Sequence, residues 1–275
     1  MSTLQAELIQ APFDALAEGY DQGFTFSRIG QAQRSAVWKE LSRTFRAGDR
    51  VLEIGCGTGI DACFLAERGV QVVACDSSPA MVRVAARRIR EMGARASTNT
   101  IDLRVLAAEN LAAIQHETPF DGVFSNFAAL NCVEDLHEVG ENLGRLLKPG
   151  GTALLCFLGP CCFWEIIWYL LKAKPRKAFR RWHSAGVTAT LAPGASVQVR
   201  YYSVRSLAHI FAPSLRLRSW RGIGLVVPPS HVESTAQRFP ALLKLAERSD
   251  RLLARCPVIR SFSDHILLKF ERVQP

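Results

Sequence analysis

Nine consecutive residues constrain the fold of this chain most: Val51-Leu52-Glu53-Ile54-Gly55-Cys56-Gly57-Thr58-Gly59. An apolar run carrying one acid leads into three glycines at alternate positions. Gly48-Asp49 reads as a turn before the run, and Val51, Leu52 and Ile54 suit a strand buried on both faces. After the glycines, Ile60 to Arg68 read as a helix, with Ile60, Cys63, Phe64 and Ala66 on a shared buried face. The unit is therefore a strand, a tight glycine turn and a helix. Glycine has no Cβ and tolerates positive φ, so such a turn lets a ligand approach the backbone closely.

A second strand pattern follows at Val70-Gln71-Val72-Val73-Ala74-Cys75 and ends at Asp76. An acid at that place can accept hydrogen bonds from a ribose diol. Pro79 then opens a helix, in keeping with the preference for proline in a first helical turn. Two cofactor classes use this layout. Dinucleotide enzymes carry Gly-x-Gly-x-x-Gly, whereas the spacing here is Gly-x-Gly-x-Gly with Glu53 two residues ahead of the first glycine. A nicotinamide-dependent oxidoreductase is thus the alternative that the spacing disfavours. An ordinary glycine turn that binds nothing is the bland one.

The pattern resembles the first motif of the class I S-adenosylmethionine-dependent methyltransferases, and the resemblance runs from roughly Tyr20 to Phe157. It implies S-adenosylmethionine as cofactor, with Gly55, Cys56, Gly57 and Gly59 passing its methionine part. It implies that Glu53 fixes the turn and the cofactor's amino-acid end. The resemblance also gives Asp76, with Ser77 beside it, the adenosine ribose, and Met81 either packs near the adenine or ribose or is a core methionine. The turn Ala107-Ala108-Glu109-Asn110-Leu111 matches the family's adenine-binding segment, but Ala107 stands where an aspartate is usual. Glu109, Asn110 or a backbone carbonyl is left to hold the adenine amino group.

Pro119 to Ser125 reads as the fourth strand, and Asn126 and Phe127 follow at its carboxyl end, where ligands bind in doubly wound sheets. Both are candidate cofactor contacts. Asn131 either faces the acceptor or serves as a cap or turn residue. The loop lacks the Asn-Pro-Pro-aromatic sequence of methyltransferases that act on base amino groups, which argues against DNA or RNA amino methylation. Upstream, Tyr20 either closes the site from above or anchors an N-terminal arm ahead of the helix at Ile29 to Phe45.

Val133 to Leu147 reads as a helix, Lys148-Pro149-Gly150-Gly151 as a turn, and Thr152 to Leu158 as the fifth strand. The next stretch departs from a minimal fold. Cys161 to Leu171 is apolar and holds Phe163, Trp164, Trp168 and Tyr169. Lys172, Lys174, Arg176, Lys177, Arg180 and Arg181 follow with no acid among them. Ala195 to Tyr202 alternates like one strand, and Ser206 to Phe211 reads as a helix. The resemblance makes residues 159–202 a lid insertion. Three roles compete for it: completing a core with solvated bases, holding an anionic or aromatic acceptor under Trp164 and Tyr169, or peripheral membrane contact through residues 161–181. Nucleic acid is a weaker partner, since no recognition module is present.

Leu215 to Trp220 reads as the sixth strand and His265 to Phe270 as the last, which the resemblance would pair antiparallel at the edge beside the sixth. Glu233 to Leu253 reads as helical, with Leu242, Leu245, Leu252 and Leu253 for packing. The expected fold is a doubly wound, Rossmann-like seven-stranded α/β sheet in one domain. Residues 1–46 form a helical cap, 47–158 the cofactor-binding half, 159–202 the lid and 203–275 the rest of the sheet with a helical insertion.

Whole-chain features narrow the function. The net charge of +9 fits an anionic acceptor, a membrane surface or plain solubility. The eight cysteines include no Cys-x-x-Cys, so no metal site is expected and the thiols read as reduced. Residues 1–10 lack a basic start with an apolar core, and no apolar run reaches membrane-spanning length, so the expected compartment is the cytoplasm. His183, His209, His231 and His265 are candidate bases by type alone, and no spacing selects a catalytic residue among them. The expected activity is in-line methyl transfer to a small-molecule acceptor, with lipid-like and anionic acceptors both in view. A cofactor-binding protein that has lost turnover is the non-enzyme alternative.

Overall fold

The computed structural model describes residues 11–93, 100–183 and 185–273, without the side chain of His231. The leader reading of residues 1–10 and the candidacy of His231 lie outside the described residues. The first half alternates helix and strand: α1 (Arg28–Thr44), β1 (Arg50–Ile54), α2 (Ile60–Ala66), β2 (Gln71–Asp76), α3 (Pro79–Met92), β3 (Ile101–Val105), β4 (Phe120–Ser125), α4 (Leu136–Leu146) and β5 (Leu147–Leu158). Side-chain caps start three helices of this half. Ser27 accepts from the Gly30 amide at α1, Ser78 from Met81 at α3, and Asp135 from His137 and Glu138 at α4.

The second half continues with α5 (Phe163–Leu171), α6 (Pro175–Ala178), β6 (Val187–Ala192), β7 (Ala195–Val199), α7 (Val204–Phe211), β8 (Leu215–Ile223), α8 (Glu233–Arg238), α9 (Pro240–Leu253) and β9 (His265–Arg272). One seven-stranded sheet runs β3-β2-β1-β4-β5-β9-β8, and β6-β7 form a separate hairpin. β1 to β5 pair in parallel, while β9 is antiparallel to both β5 and β8. The chain order reverses between β1 and β4, and the carboxyl ends of those strands open onto the site.

Helices cover both faces of the sheet, which is why the strands are continuous apolar runs. Leu52 and Ile54 join one core with Leu136, Val139 and Leu143 of α4 and Leu207 and Phe211 of α7. Val51 points the other way and joins Val37 and Leu41 of α1 and Leu65 of α2. Gly122 lets the ring of Phe45 lie against β4; a Cβ there would come 2.1 Å from the ring.

Several expectations are corrected. The last strand is not at the edge: β9 sits between β5 and β8, and β8 is the edge. The Lys148-Pro149-Gly150-Gly151 turn is a bulge inside β5, because Phe120 pairs with Leu147 and Gly122 already pairs with Thr152. The strand expected at Ala195 to Tyr202 ends at Val199 and is half of a hairpin. Its partner β6 pairs across Pro193-Gly194, with Gly194 at φ +78°. The helix expected from Glu233 to Leu253 is two, broken at Phe239-Pro240. Of its leucines, Leu242, Leu245 and Leu252 are exposed, and it is Leu243 that packs.

Candidate functional site

The glycine turn is tied to the end of β2 by its own backbone. The Gly55 and Cys56 amides both donate to the Cys75 carbonyl, at 2.8 and 2.9 Å. Gly55 has φ +71°, and a Cβ on it would come 2.3 Å from the Cβ of Ala129. Gly57 also has positive φ, +52°, but the space where its Cβ would go is open. The turn is therefore packed on one side and clear on the side facing a cavity of about 470 Å3.

Asp76 locks the next layer. Its carboxylate accepts from the Gly57 amide at 2.8 Å and from the Ser78 amide at 2.9 Å. Burial raises its pKa more than these two amides lower it. Glu53 lies beneath the turn, buried, and its Oε2 has no partner. Burial pushes its carboxyl well above the ordinary range; Asp61 adds to the rise and Arg34 opposes it. Burial behind the turn thus disfavours the ionised form.

The N-terminal arm crosses the same end of the sheet. Asp14 accepts from the Ser78 hydroxyl and from the Ala80 amide, so it caps the start of α3 from outside. Asp21 accepts from the Thr58 hydroxyl at 2.7 Å and pairs with Arg88. Between these two anchors Tyr20 lines the cavity and packs with Met81 and Val84. Burial raises the Tyr20 phenol above its usual range, so it stays protonated at neutral pH.

A cluster centred on Asp61 was not foreseen. Its carboxylate accepts from Arg34 at 2.5 Å, Trp38 Nε1 at 2.6 Å and Asn126 Nδ2 at 2.8 Å. The Arg34 guanidinium also lies 4.7 Å from the Phe127 ring centroid, and its buried Nε has no partner. Arg34 and Asp61 both line the cavity. The sequence did hold a signal: Arg34 is a base on the buried stripe of α1 that also carries Val37 and Leu41.

Ten of the thirteen residues singled out from the sequence line the cavity: Tyr20, Gly55, Cys56, Gly57, Asp76, Ser77, then Met81, Glu109, Asn126 and Phe127. Glu53, Gly59 and Asn110 do not. Glu53 supports the turn from below, and a Cβ on Gly59 would come 2.8 Å from the Cβ of Ala85 in α3. Asn131 is a structural clamp: its side chain accepts from the Leu158 amide and donates to the Arg200 carbonyl, tying β5 to the residue after β7.

The far wall of the cavity is Ala189, Leu191, Val197 and Val199, from the inward faces of β6 and β7. Trp164 and Tyr169 are not on it. Trp164 turns away and donates to the Val226 carbonyl at 3.1 Å. Among the described residues no histidine lines the cavity. His265 is buried one layer back, edge-on to Phe127 at 5.4 Å, and burial lowers its pKa so that it stays neutral. The Cys56 thiol reaches the cavity, but burial raises its pKa well above the usual range, so it is no nucleophile.

Residues 51–151 match the family model described as a methyltransferase domain. The chain is 32% identical over 148 residues to the demethylmenaquinone methyltransferase of Clavibacter sepedonicus, covering 54% of this chain and 57% of that one. It is also 32% identical over 149 residues to the tRNA 5-carboxymethoxyuridine methyltransferase of Escherichia coli K12, covering 53% and 55%. The chain spans about half the length of the curated relatives it matches. Its fold is similar to that of the CcbJ methyltransferase from Streptomyces caelestis, with a TM-score of 0.62 at 16% identity over 96% of this chain and 99% of that one. Residues 51–151 thus match a methyltransferase domain, and S-adenosylmethionine is the cofactor implied for them.

The site fits that cofactor. Gly57 leaves open space at the cavity wall, Asp76 presents a carboxylate for a diol, and Arg34 lines the cavity with an unpartnered buried Nε for a carboxylate end.

Proposed function

We propose that the chain transfers a methyl group from S-adenosylmethionine to an apolar, ring-bearing small molecule of quinone-like character. One observation carries the acceptor class: the cavity that the glycine turn opens onto is closed opposite by four small aliphatic side chains on β6 and β7. Such a wall desolvates an apolar ring and offers no hydrogen bond to a nucleobase edge. The demethylmenaquinone methyltransferase of Clavibacter sepedonicus supports the same class.

In this reading Asp76 holds the ribose, with Ser77 and Met81 beside it. Arg34 meets the methionine carboxylate, and Glu53 backs the turn. Glu109 is the adenine contact in place of an aspartate at Ala107, and Asn126 with Phe127 borders the reacting centre. Tyr20 closes the cofactor from above, and residues 187–199 act as the acceptor-side cover. Bound there, the cofactor supplies an electrophilic methyl group. The protein's part is to align the acceptor and exclude water. Among the described residues no histidine lines the wall, and the proposed acceptor is one that ionises readily, such as an enol or a phenol.

The test is calorimetric titration with S-adenosylmethionine and, separately, NADH, followed by methyl-label transfer to a demethylated quinol and to tRNA. Binding of the first ligand alone with label in the quinol supports the proposal. Label in tRNA overturns the acceptor class. NADH binding overturns the activity.

A further inference from the structure

Exposed apolar side chains are concentrated on this molecule. Of the fourteen large hydrophobic residues exposed among the described residues, eleven lie in two segments, 163–182 and 239–262. On α5, Phe163, Ile167, Leu170 and Leu171 fall within one side of the helix, and Leu171 is 80% exposed. Trp182, 63% exposed, follows after α6. On α9, Leu242, Leu245 and Leu252 share the outward side, while Leu243 faces in. Val258, Ile259 and Phe262 extend that surface beyond the helix.

The same two segments hold nearly all of the net charge. Residues 163–182 carry six bases against one acid, and residues 239–262 carry five against two. Together they account for eight of the chain's nine net positive charges. The one acid of the first segment, Glu165, is buried and already paired with Arg180 and Arg181, so Lys172, Lys174, Arg176 and Lys177 are left on the exposed surface. On α9, Lys244, Arg248 and Arg251 are exposed beside the leucine stripe. The segments are adjoining: Trp164 of α5 bonds the Val226 carbonyl, and Asp250 of α9 accepts from the Val226 and Val227 amides at 2.5 and 3.2 Å.

We infer that α5 with α6 and α9 with its following turn form one docking surface for an anionic lipid bilayer. Leucine and tryptophan enter the interface, and lysine and arginine meet the headgroups. The chemistry selects this occupant over two others. A second copy of the chain would bring the same positive surface against itself. A nucleic acid would use the bases but leave Leu171 and Leu252 unsatisfied, since aliphatic side chains contact neither phosphates nor base faces usefully. Trp182 stands five residues before β6, so a docked chain holds the apolar wall of the cavity close to the lipid phase.

The experiment is co-sedimentation of the full chain with vesicles of phosphatidylcholine alone and of phosphatidylcholine mixed with phosphatidylglycerol, at low and high salt. Three proteins are compared: the natural chain, K174E/K177E, and L171D/L252D. All four positions are exposed and outside the cofactor site, so S-adenosylmethionine affinity and melting temperature report that each variant is folded. The natural chain is expected on the anionic vesicles at low salt, with partition falling about tenfold or more in K174E/K177E and comparably in L171D/L252D. Loss in the charge variant with full retention of L171D/L252D overturns insertion and leaves simple adhesion. Absence from anionic vesicles, or concentration-dependent self-association that vesicles do not compete with, overturns the surface as a lipid site.

Discussion

The glycine turn and the β6–β7 hairpin face each other across one cavity, and they are specified in different ways. At the turn, backbone conformation and close approach decide the residue. Gly55 needs both φ +71° and the absence of a Cβ against Ala129, and Asp76 must reach two particular amides. On the hairpin, Ala189, Leu191, Val197 and Val199 need only be small, apolar and on alternate positions. One wall tolerates almost no exchange of residue, while the other can be reshaped. A cofactor site that serves many acceptors would be built this way: fixed where the cofactor binds and variable where the acceptor does.

The sharpest way to break that comparison is Gly55→Ala against Leu191→Ala. Forcing alanine into the left-handed region costs about 1–2 kcal/mol, and crowding Ala129 adds roughly 1–3 kcal/mol. Urea unfolding should show a loss of about 2–5 kcal/mol for Gly55→Ala. A similar loss from Leu191→Ala would mean that the hairpin is as tightly specified as the turn. Asp76→Ala should come next. Removing an ionised acceptor from a diol costs about 1.5–3 kcal/mol, so calorimetry should read S-adenosylmethionine affinity lower by roughly ten- to a hundredfold. Leu191→Ala should leave that affinity unchanged. Undiminished affinity in Asp76→Ala would remove the ribose role from Asp76.

The same contrast explains what was legible in the sequence. The glycine triplet and Asp76 are constrained by local geometry, and the family resemblance that they carried together with Glu53 pointed to the right sheet and to the cofactor side of the cavity lining. β9 was recognised by its apolar run, but its place between β5 and β8 follows from long-range pairing that no local pattern encodes. Val187 to Ala192 alternates as clearly as Ala195 to Val199, and the Pro193-Gly194 turn between them was the missed hairpin signal. Arg34 and Asp61 were missed because they are twenty-seven positions apart and meet only when α1 packs on α2. The leucines of α9 misled for a physical reason: a one-sided leucine stripe reads the same whether it faces a core or the outside.

Acidification should separate the two sides by sign. Glu53 and Asp76 have folded-state pKa values raised by burial, so keeping them ionised costs stability that is regained as pH falls through those values. Asp264, the residue before β9, behaves oppositely. Burial alone would raise its carboxyl, but His265, which gains its charge only on acidification, and the Arg181 guanidinium outweigh that and hold it at about 2. Its stabilisation is therefore present above the ordinary carboxylate range and is lost as pH falls from about 4 towards 2. Arg181 bonds Asp264 at 2.7 Å, the Gly159 carbonyl at 3.2 Å and Glu165 of α5, so Asp264 is what fastens the 159–182 segment to the sheet. Hydrogen exchange across that pH range should show residues 159–182 losing protection before residues 51–76. Simultaneous loss would mean that the two sides unfold as one unit and that Asp264 has no separate part.

The smallest effect is the most pointed test of the exposed surface. Leu242 and Leu252 stand 62% and 79% exposed on α9, while Leu243 beside them is buried with Ile29 and Val227. Leu243→Ala should cost roughly 2–4 kcal/mol through lost burial and the cavity left behind. Leu252→Ala should stay within about 0.5 kcal/mol, as substitutions on a free surface do, and Leu242→Ala likewise. The measurement is urea unfolding at several protein concentrations. A large, concentration-dependent cost at Leu252 would mean that a second copy already covers the stripe in solution, and the lipid surface would no longer be available. A negligible cost at every concentration leaves Leu242 and Leu252 as leucines that stability does not require, placed among the bases that carry the chain's charge. Selection for folding alone has no reason to keep them there, whereas selection for binding at an interface does.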